Sequence, residues 1–254
     1  MKTLGNKILI LTDFTQVCYD SVSYGLEFCR AYGLTPEIFH VEESCGYDSL
    51  ELQRIEDIVS LYNRKFNMGA VLKIRKGVLI EVIKEEVSSG GFFMVILGTH
   101  GKLGFQTLTG SLVTKIISAL TVPILVVHSR KFVPIENTLL PIFENTVISE
   151  LFSDIAPITR IISNSHLTII CLEEGRSNAE KFVSTYLDGR EFNYSLRIMR
   201  HSDNFHKQLM KYCLDSNVNM LFSYPIKSDR IQLNMVYEQL IFNIHQIPVI
   251  CKYA

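Results

Sequence analysis

The residues of this chain best suited to chemistry on a ligand are one carboxylate and one cluster of glycines. Asp13 stands just past the short apolar run "KILIL" (7–11). The stretch "GTHGKLGFQTLTGS" (98–111) holds four of the chain's fourteen glycines, follows the apolar run "FFMVIL" (92–97) and precedes "LVTKIISAL", which has helical spacing. Glycines let a backbone take φ > 0 and approach an anion closely. Successive N–H groups then point inward as a nest, and a following helix adds its unsatisfied N–H groups and the positive end of its dipole. Ser111 stands at the N-cap position, able to cap the helix or to contact a phosphate, and Lys102 brings one mobile positive charge. His100 lies inside the loop, where it can bond a phosphate or pack on the sheet edge. The same composition also suits a plain strand–helix turn, so the loop alone leaves both readings open. It matches neither G-x-x-x-x-G-K-[ST] nor a G-x-G-x-x-G after the first strand.

The elements that must position these residues are legible as alternating runs. "KILIL", "FFMVIL", "PILVV" (123–127), "TLLPIF" (138–143), "LTIICL" (167–172), "NMLFS" (219–223) and "PVICK" (248–252) are short and continuously apolar. Such runs fit strands buried on both faces, as in a parallel sheet. Between them lie helical patterns. Val22, Leu26 and Cys29 share one face of a segment that ends at Gly33, a C-cap residue type. Leu52, Ile55, Ile58 and Val59 form the stripe of a second segment, and Val113, Ile116, Ile117 and Leu120 that of a third. Strands alternating with helices imply βαβ units with right-handed crossovers.

The pattern occurs twice. "MVILGTH…ALTVPILVVH" parallels "NMLFSYP…IHQIPVICK", and "ILILTDFT" (8–15) aligns with "TLLPIFEN" (138–145). A repeat this long means duplicated domains. The proline-containing stretch "SRKFVPIEN" (129–137) reads as the linker, giving domains at 1–130 and 136–254 of about five strands each. In an open parallel sheet ligands bind beyond the carboxyl ends of the strands, where strand order reverses. With the first and fourth strands side by side at that point, Asp13 and Gly98 face one crevice.

With "ILILTDFT", the "HV" (40–41) that ends the second strand, and "GTHGKLGFQTLTGS" followed by a helix and "VPILVV", the chain resembles the universal stress protein family. The resemblance covers the first half well and the second through its strand pattern and "IPVI". It implies an α/β fold of two tandem five-stranded parallel sheets, each of order 3-2-1-4-5, as in the adenine nucleotide alpha hydrolase-like group. It implies further that the protein is a stress-response regulatory module. Its ligand would be ATP or another adenine nucleotide, with Mg²⁺ as an optional companion, and any hydrolysis would be slow. By the same resemblance Asp13 and the backbone of Val41 would hold the adenine. Gly98 and Gly101 would line the ribose and phosphates, and Gly110, Ser111 and Leu112 would hold the phosphates at the helix start. The family pattern G-x2-G-x9-G-[ST] is one residue short here, since eight residues separate Gly101 from Gly110. That departure bears on the outer phosphates more than on the adenine.

The second half departs further. Phe143 stands where Asp13 stands in the first, and "SYPIKSDRIQLNMVYEQL" (223–240) contains no glycine. A single, amino-terminal nucleotide site is expected, with the second domain structural or partner-binding and docked on the first, as family members dimerise. A nucleotide-free scaffold acting through its surfaces is the alternative. The paired-histidine motif of the related nucleotidyl-transfer enzymes is absent, and no nucleophile–base order or G-x-S-x-G elbow stands out, so catalysis has little support. "RHSDNFH" (200–206) reads as a capped helix start rather than a metal site. His40, Glu42, Cys45 and Asp48 have irregular spacing and read as chance clustering.

Composition excludes other classes. Lys plus Arg (25) and Asp plus Glu (26) nearly cancel, with 13 of each sign in residues 1–130. No basic patch or tryptophan serves a nucleic acid. No apolar run approaches the roughly 20 residues of a membrane helix, and "MKTLGNKILILTDF" lacks a signal-peptide pattern. Six scattered cysteines without C-x-x-C read as free thiols in a reducing compartment. The expected setting is the cytoplasm, with an unidentified protein partner, an internal pseudo-dimer and a homodimer as a further option.

Overall fold

The computed structural model describes residues 5–43, 49–99, 112–128, 130–190, 192–200, 205–224, 239–243 and 245–252. Its backbone groups into two compact units, Met1–Pro134 and Ile135–Ala254.

In the first unit the strands are β1 (Lys7–Leu11), β2 (Thr35–Glu42), β3 (Val71–Lys76), β4 (Phe92–Gly98) and β5 (Ile124–Val127). They pair in parallel in the order β3-β2-β1-β4-β5. The helices are α1 (Gln16–Tyr32), α2 (Ser49–Phe66), α3 (Leu79–Gly90) and α4 (Leu112–Ala119). The central strands are apolar throughout because both of their faces are covered: Ile8, Leu9, Ile10, Met94, Val95 and Ile96 are fully buried. Burial of this kind contributes ~1.5–3 kcal/mol per large aliphatic side chain. α1 buries Val22, Leu26 and Cys29 as its spacing predicts, and it stops at Gly33, whose φ of 63° is the left-handed conformation of a C-cap. Leu34 N–H then bonds Cys29 O at 2.9 Å, closing the helix. In α2 the stripe narrows to Ile55 and Val59, with Leu52 and Ile58 half-buried; in α4, Ile116 and Ile117 are buried and Val113 half-buried.

The second unit repeats the plan. Its strands are β6 (Asn137–Ile142), β7 (His166–Leu172), β8 (Asn193–Met199), β9 (Met220–Ser223) and β10 (Val249–Cys251). They pair in parallel in the order β8-β7-β6-β9-β10, which is again 3-2-1-4-5 counted within the unit. Its helices are α5 (Ile148–Ile155), α6 (Thr159–Ile162), α7 (Arg176–Phe182) and α8 (Phe205–Asp215). A 3₁₀ turn carrying Pro157 separates α5 from α6, as expected for a residue that cannot donate an intrahelical bond.

Five of the six cysteines are described, and all five are buried and outside any disulfide; Cys45 lies outside the described residues. None of the described helices is long and apolar enough to cross a membrane.

Candidate functional site

The first unit carries a notch at the carboxyl ends of its central strands, and strand register makes it. β1 pairs with β2 only as far as Leu11↔Phe39 and with β4 only as far as Ile10↔Ile96. Both neighbours run on, β2 against β3 to Glu42 and β4 against β5 to Gly98. β1 is therefore the short strand between two longer ones, with Thr12 and Asp13 at the floor and Val41 and Gly98 on the walls. Main-chain groups alternate in direction along a strand. Thr12 N–H donates to Phe39 O at 2.9 Å, and Gly77 N–H donates to Glu42 O at 3.1 Å. Odd-numbered residues of β2 thus face β1, so the N–H and C=O of Val41 point into the notch, past the end of the strand that would have paired them.

Asp13 is held at the floor by a tight turn. Its Oδ1 accepts the Thr15 N–H at 2.9 Å and the Thr15 hydroxyl at 2.6 Å. Burial of the group opposes its charge, but bonds from the Cys18 thiol and from Thr15 outweigh this and hold the carboxyl below its ordinary value. Burial first, and the facing carboxylate second, push the Cys18 thiol up to about 12, so it stays a donor. A carboxylate offers about four acceptor positions, so Asp13 keeps capacity for a ligand donor. Between Asp13 and Thr15, Phe14 takes φ 61°, uncommon for a bulky residue. Its ring packs 4.2 Å from that of His40, and its N–H donates to Thr12 Oγ1 at 3.2 Å. His40 Nδ1 lies 2.9 Å from Thr12 O; a carbonyl only accepts, so that nitrogen carries the proton. Thr12, Phe14, His40 and Cys18 are the residues that spacing alone misses. They converge through cross-strand register and a positive φ, neither of which leaves a periodic trace.

Among the residues expected to bind, the structure brings together Asp13, Val41 and Gly98. Leu112 is the first residue of α4, with its side chain exposed. Gly101, Gly110 and Ser111 lie outside the described residues, as do His100, Lys102 and Gly104. Of the irregular cluster after β2, His40 serves the turn just described and Glu42 pairs with Lys76 at 3.3 Å; Cys45 and Asp48 are outside the described residues. Among the described residues no group of three or more His, Cys, Asp or Glu side chains is placed to hold a metal.

The corresponding place in the second unit is filled by protein. β7 overhangs β6 by one residue, Leu172, since Ile142 pairs with Cys171. Phe143 is buried there, edge-on to Phe205 at 5.8 Å. Asn178 Nδ2 lies 3.2, 2.6 and 3.2 Å from the carbonyl oxygens of Phe143, Glu144 and Thr146 and ties the turn down. Gly175 packs its backbone against the same turn, so that a Cβ there would lie 2.9 Å from Ile142 O. Its φ is −88°, so alanine meets no backbone strain and its whole cost is the clash. Gly175→Ala is expected to destabilise the second unit by about 1–3 kcal/mol, measured as a shift of its chemical-denaturation transition; an unchanged midpoint would show that the turn is not packed this closely.

No family model and no curated protein matches the chain. Among solved structures, a universal stress protein from Archaeoglobus fulgidus DSM 4304 is similar over 99% of both chains, at 16% identity and a TM-score of 0.71. A functionally unknown protein from Pseudomonas aeruginosa PAO1 is similar over 98% of this chain and 92% of its own, at 12% identity and a TM-score of 0.64. Identities this low speak to fold alone. The end-to-end coverage, with the strand order 3-2-1-4-5 found twice, makes that fold a specific one: the chain folds as a universal stress protein of two tandem domains.

Proposed function

We propose that the protein is a regulatory module whose first unit binds ATP or another adenine nucleotide in the notch at the ends of β1, β2 and β4. The observation that carries this reading is the overhang of β2 beyond β1. It leaves the N–H and C=O of Val41 pointing at the place that the Asp13 carboxylate also borders. An adenine edge presents both a donor amine and ring-nitrogen acceptors, and a backbone donor–acceptor pair beside a carboxylate complements it. Gly98 then begins the glycine stretch that the resemblance assigns to the ribose and phosphates, and Gly101, Gly110, Ser111 and Leu112 would complete the cradle. Bound nucleotide would bias the protein's conformation or its partners, with no step of catalysis required.

The filled notch of the second unit favours a different role for that half, a scaffold acting through its surface. The test treats the whole chain. Purified protein is denatured and the supernatant examined for adenine nucleotide, and ATP binding is then measured by calorimetry. Binding that is lost in Gly110→Val supports the reading; no binding by the wild type at millimolar ATP would overturn it and leave the scaffold reading for both halves.

A further inference from the structure

In the second unit, β7 and β8 bring together three residues that no sequence motif links. Register pairs His166 with Asn193 and Thr168 with Ser195, so all four side chains stand on one face of the two strands. His166 Nδ1 lies 2.9 Å from Asn193 Oδ1, and His166 Nε2 lies 2.9 Å from Ser195 Oγ. An amide oxygen only accepts, so Nδ1 carries the ring proton. Nε2 then presents its lone pair to the serine hydroxyl. Both distances fall within the reach required of a nucleophile–base pair and of a base and its orienting group. This order, hydroxyl to Nε2 and Nδ1–H to a fixed oxygen, is the one that activates serine in acyl transfer.

The surroundings suit a partly accessible site. Ser195 and His166 are half-buried and Asn193 is exposed, while Thr168 at the back is buried. The Ser195 hydroxyl has a second, longer acceptor in Thr168 Oγ1 at 3.4 Å, so its proton is shared between that oxygen and the nearer Nε2, and Thr168 Oγ1 is itself 3.4 Å from the Tyr212 hydroxyl of α8. Arg197, two residues beyond Ser195 on the same face of β8, lays its guanidinium 5.0 Å from the Tyr212 ring centre. A hydroxyl donor and a cation, the kinds of group that stabilise a developing oxyanion, therefore belong to this face. Asn193 fixes the ring but adds no negative charge to stabilise an imidazolium, so the base is weaker than one backed by a carboxylate.

The geometry points to Ser195 as an acyl-acceptor nucleophile, activated by His166 and positioned by Asn193, that reacts with small activated carboxylic esters. In the step, the Oγ–acyl carbon bond forms and the bond from that carbon to the leaving alkoxide or phenoxide breaks. The serine proton passes to His166 Nε2 and from there to the leaving oxygen. The product is an O-acyl serine, and no oxidant or cofactor is needed.

The test is incubation of the full-length protein with p-nitrophenyl acetate, followed by p-nitrophenolate release and by peptide mass mapping of the acetyl group. Acetylation is expected at Ser195 ahead of every other serine, absent at that position in Ser195→Ala, and slowed about 100-fold or more in His166→Gln, the scale of general-base catalysis. Free imidazole added to His166→Ala is expected to restore acetylation at Ser195, a rescue that a merely structural role for the ring would not produce. Asn193→Ala should slow the reaction with the fold unchanged by circular dichroism. Acetylation of Ser195 no faster than that of exposed serines, or at an equal rate in His166→Gln, would overturn the assignment.

Discussion

Replacing Asp13 by alanine is expected to weaken ATP binding by the full chain about 10- to 100-fold, the consequence of losing one hydrogen bond to a charged acceptor. The variant has a structural cost as well, because Oδ1 holds the Thr15 N–H and hydroxyl at the start of α1. Loss of these turn bonds costs ~1 kcal/mol, which leaves the unit folded and the affinity interpretable. Asp13→Asn separates the two contributions, since the amide oxygen still accepts from Thr15 while the charge is gone. Its affinity is expected to fall between wild type and alanine. The pH dependence follows from the sign of the shift. Burial raises the carboxyl, hydrogen bonds from Cys18 and Thr15 lower it further, and the net value lies below the ordinary 3.8. A group depressed on folding contributes its stability above the ordinary value and loses it as pH falls through the depressed one. The affinity difference between wild type and Asp13→Asn should therefore hold through mildly acidic pH and disappear only below that value. Equal ATP affinity in wild type and Asp13→Ala at neutral pH would remove Asp13 from the site.

The fully covered strands were legible in the sequence: "KILIL", "FFMVIL", "PILVV" and "LTIICL" have no solvent side on which to place a polar residue. The half-exposed strands were not. β3 ("VLKIRK") and β8 ("NYSLRIM") each lie at one edge of their unit, so their apolar residues alternate with charged and polar ones and the continuous run is lost. β2 ("TPEIFHVE") is interrupted in the same way by Glu37, whose carboxylate pairs with Lys7 at 3.7 Å. The site divides along the same line. Asp13 stands out in the sequence because it lies just past a readable strand, and Phe143 because the repeat places it opposite Asp13. The notch itself depends on how far β2 and β4 outrun β1, a property of register between strands that no single-chain period records. The Ser195–His166–Asn193 set escaped for that reason too, since His166 is 27 residues from Asn193 and 29 from Ser195 and meets them only across β7 and β8.

The strongest test of the difference between the two halves is Phe143→Asp, which gives the second unit the residue type of the first. It is expected to destabilise that unit by about 4 kcal/mol or more and to create no second nucleotide site. Phe143 is buried edge-on to Phe205, and removing a buried phenyl ring costs ~3–5 kcal/mol through lost transfer energy and the cavity left behind. The aspartate adds the cost of placing a carboxyl in that space, which raises its pKa and favours the neutral form. In the first unit the equivalent carboxylate has Thr15 and Cys18 to bond it. At that turn of the second unit the carbonyl oxygens of Phe143, Glu144 and Thr146 gather on Asn178 and repel a carboxylate. The Gly175 backbone still occupies the ground beyond Ile142, so the deleted ring opens a cavity inside the turn rather than a crevice beside a free strand edge. Two transitions are expected in urea, the one assigned to the second unit moving strongly and the one assigned to the first holding its midpoint. Phe143→Leu, which keeps the plug apolar, should move it far less. A stable Phe143→Asp protein that binds a second equivalent of ATP would show that a single side chain, and not the packed turn behind it, closes the second notch.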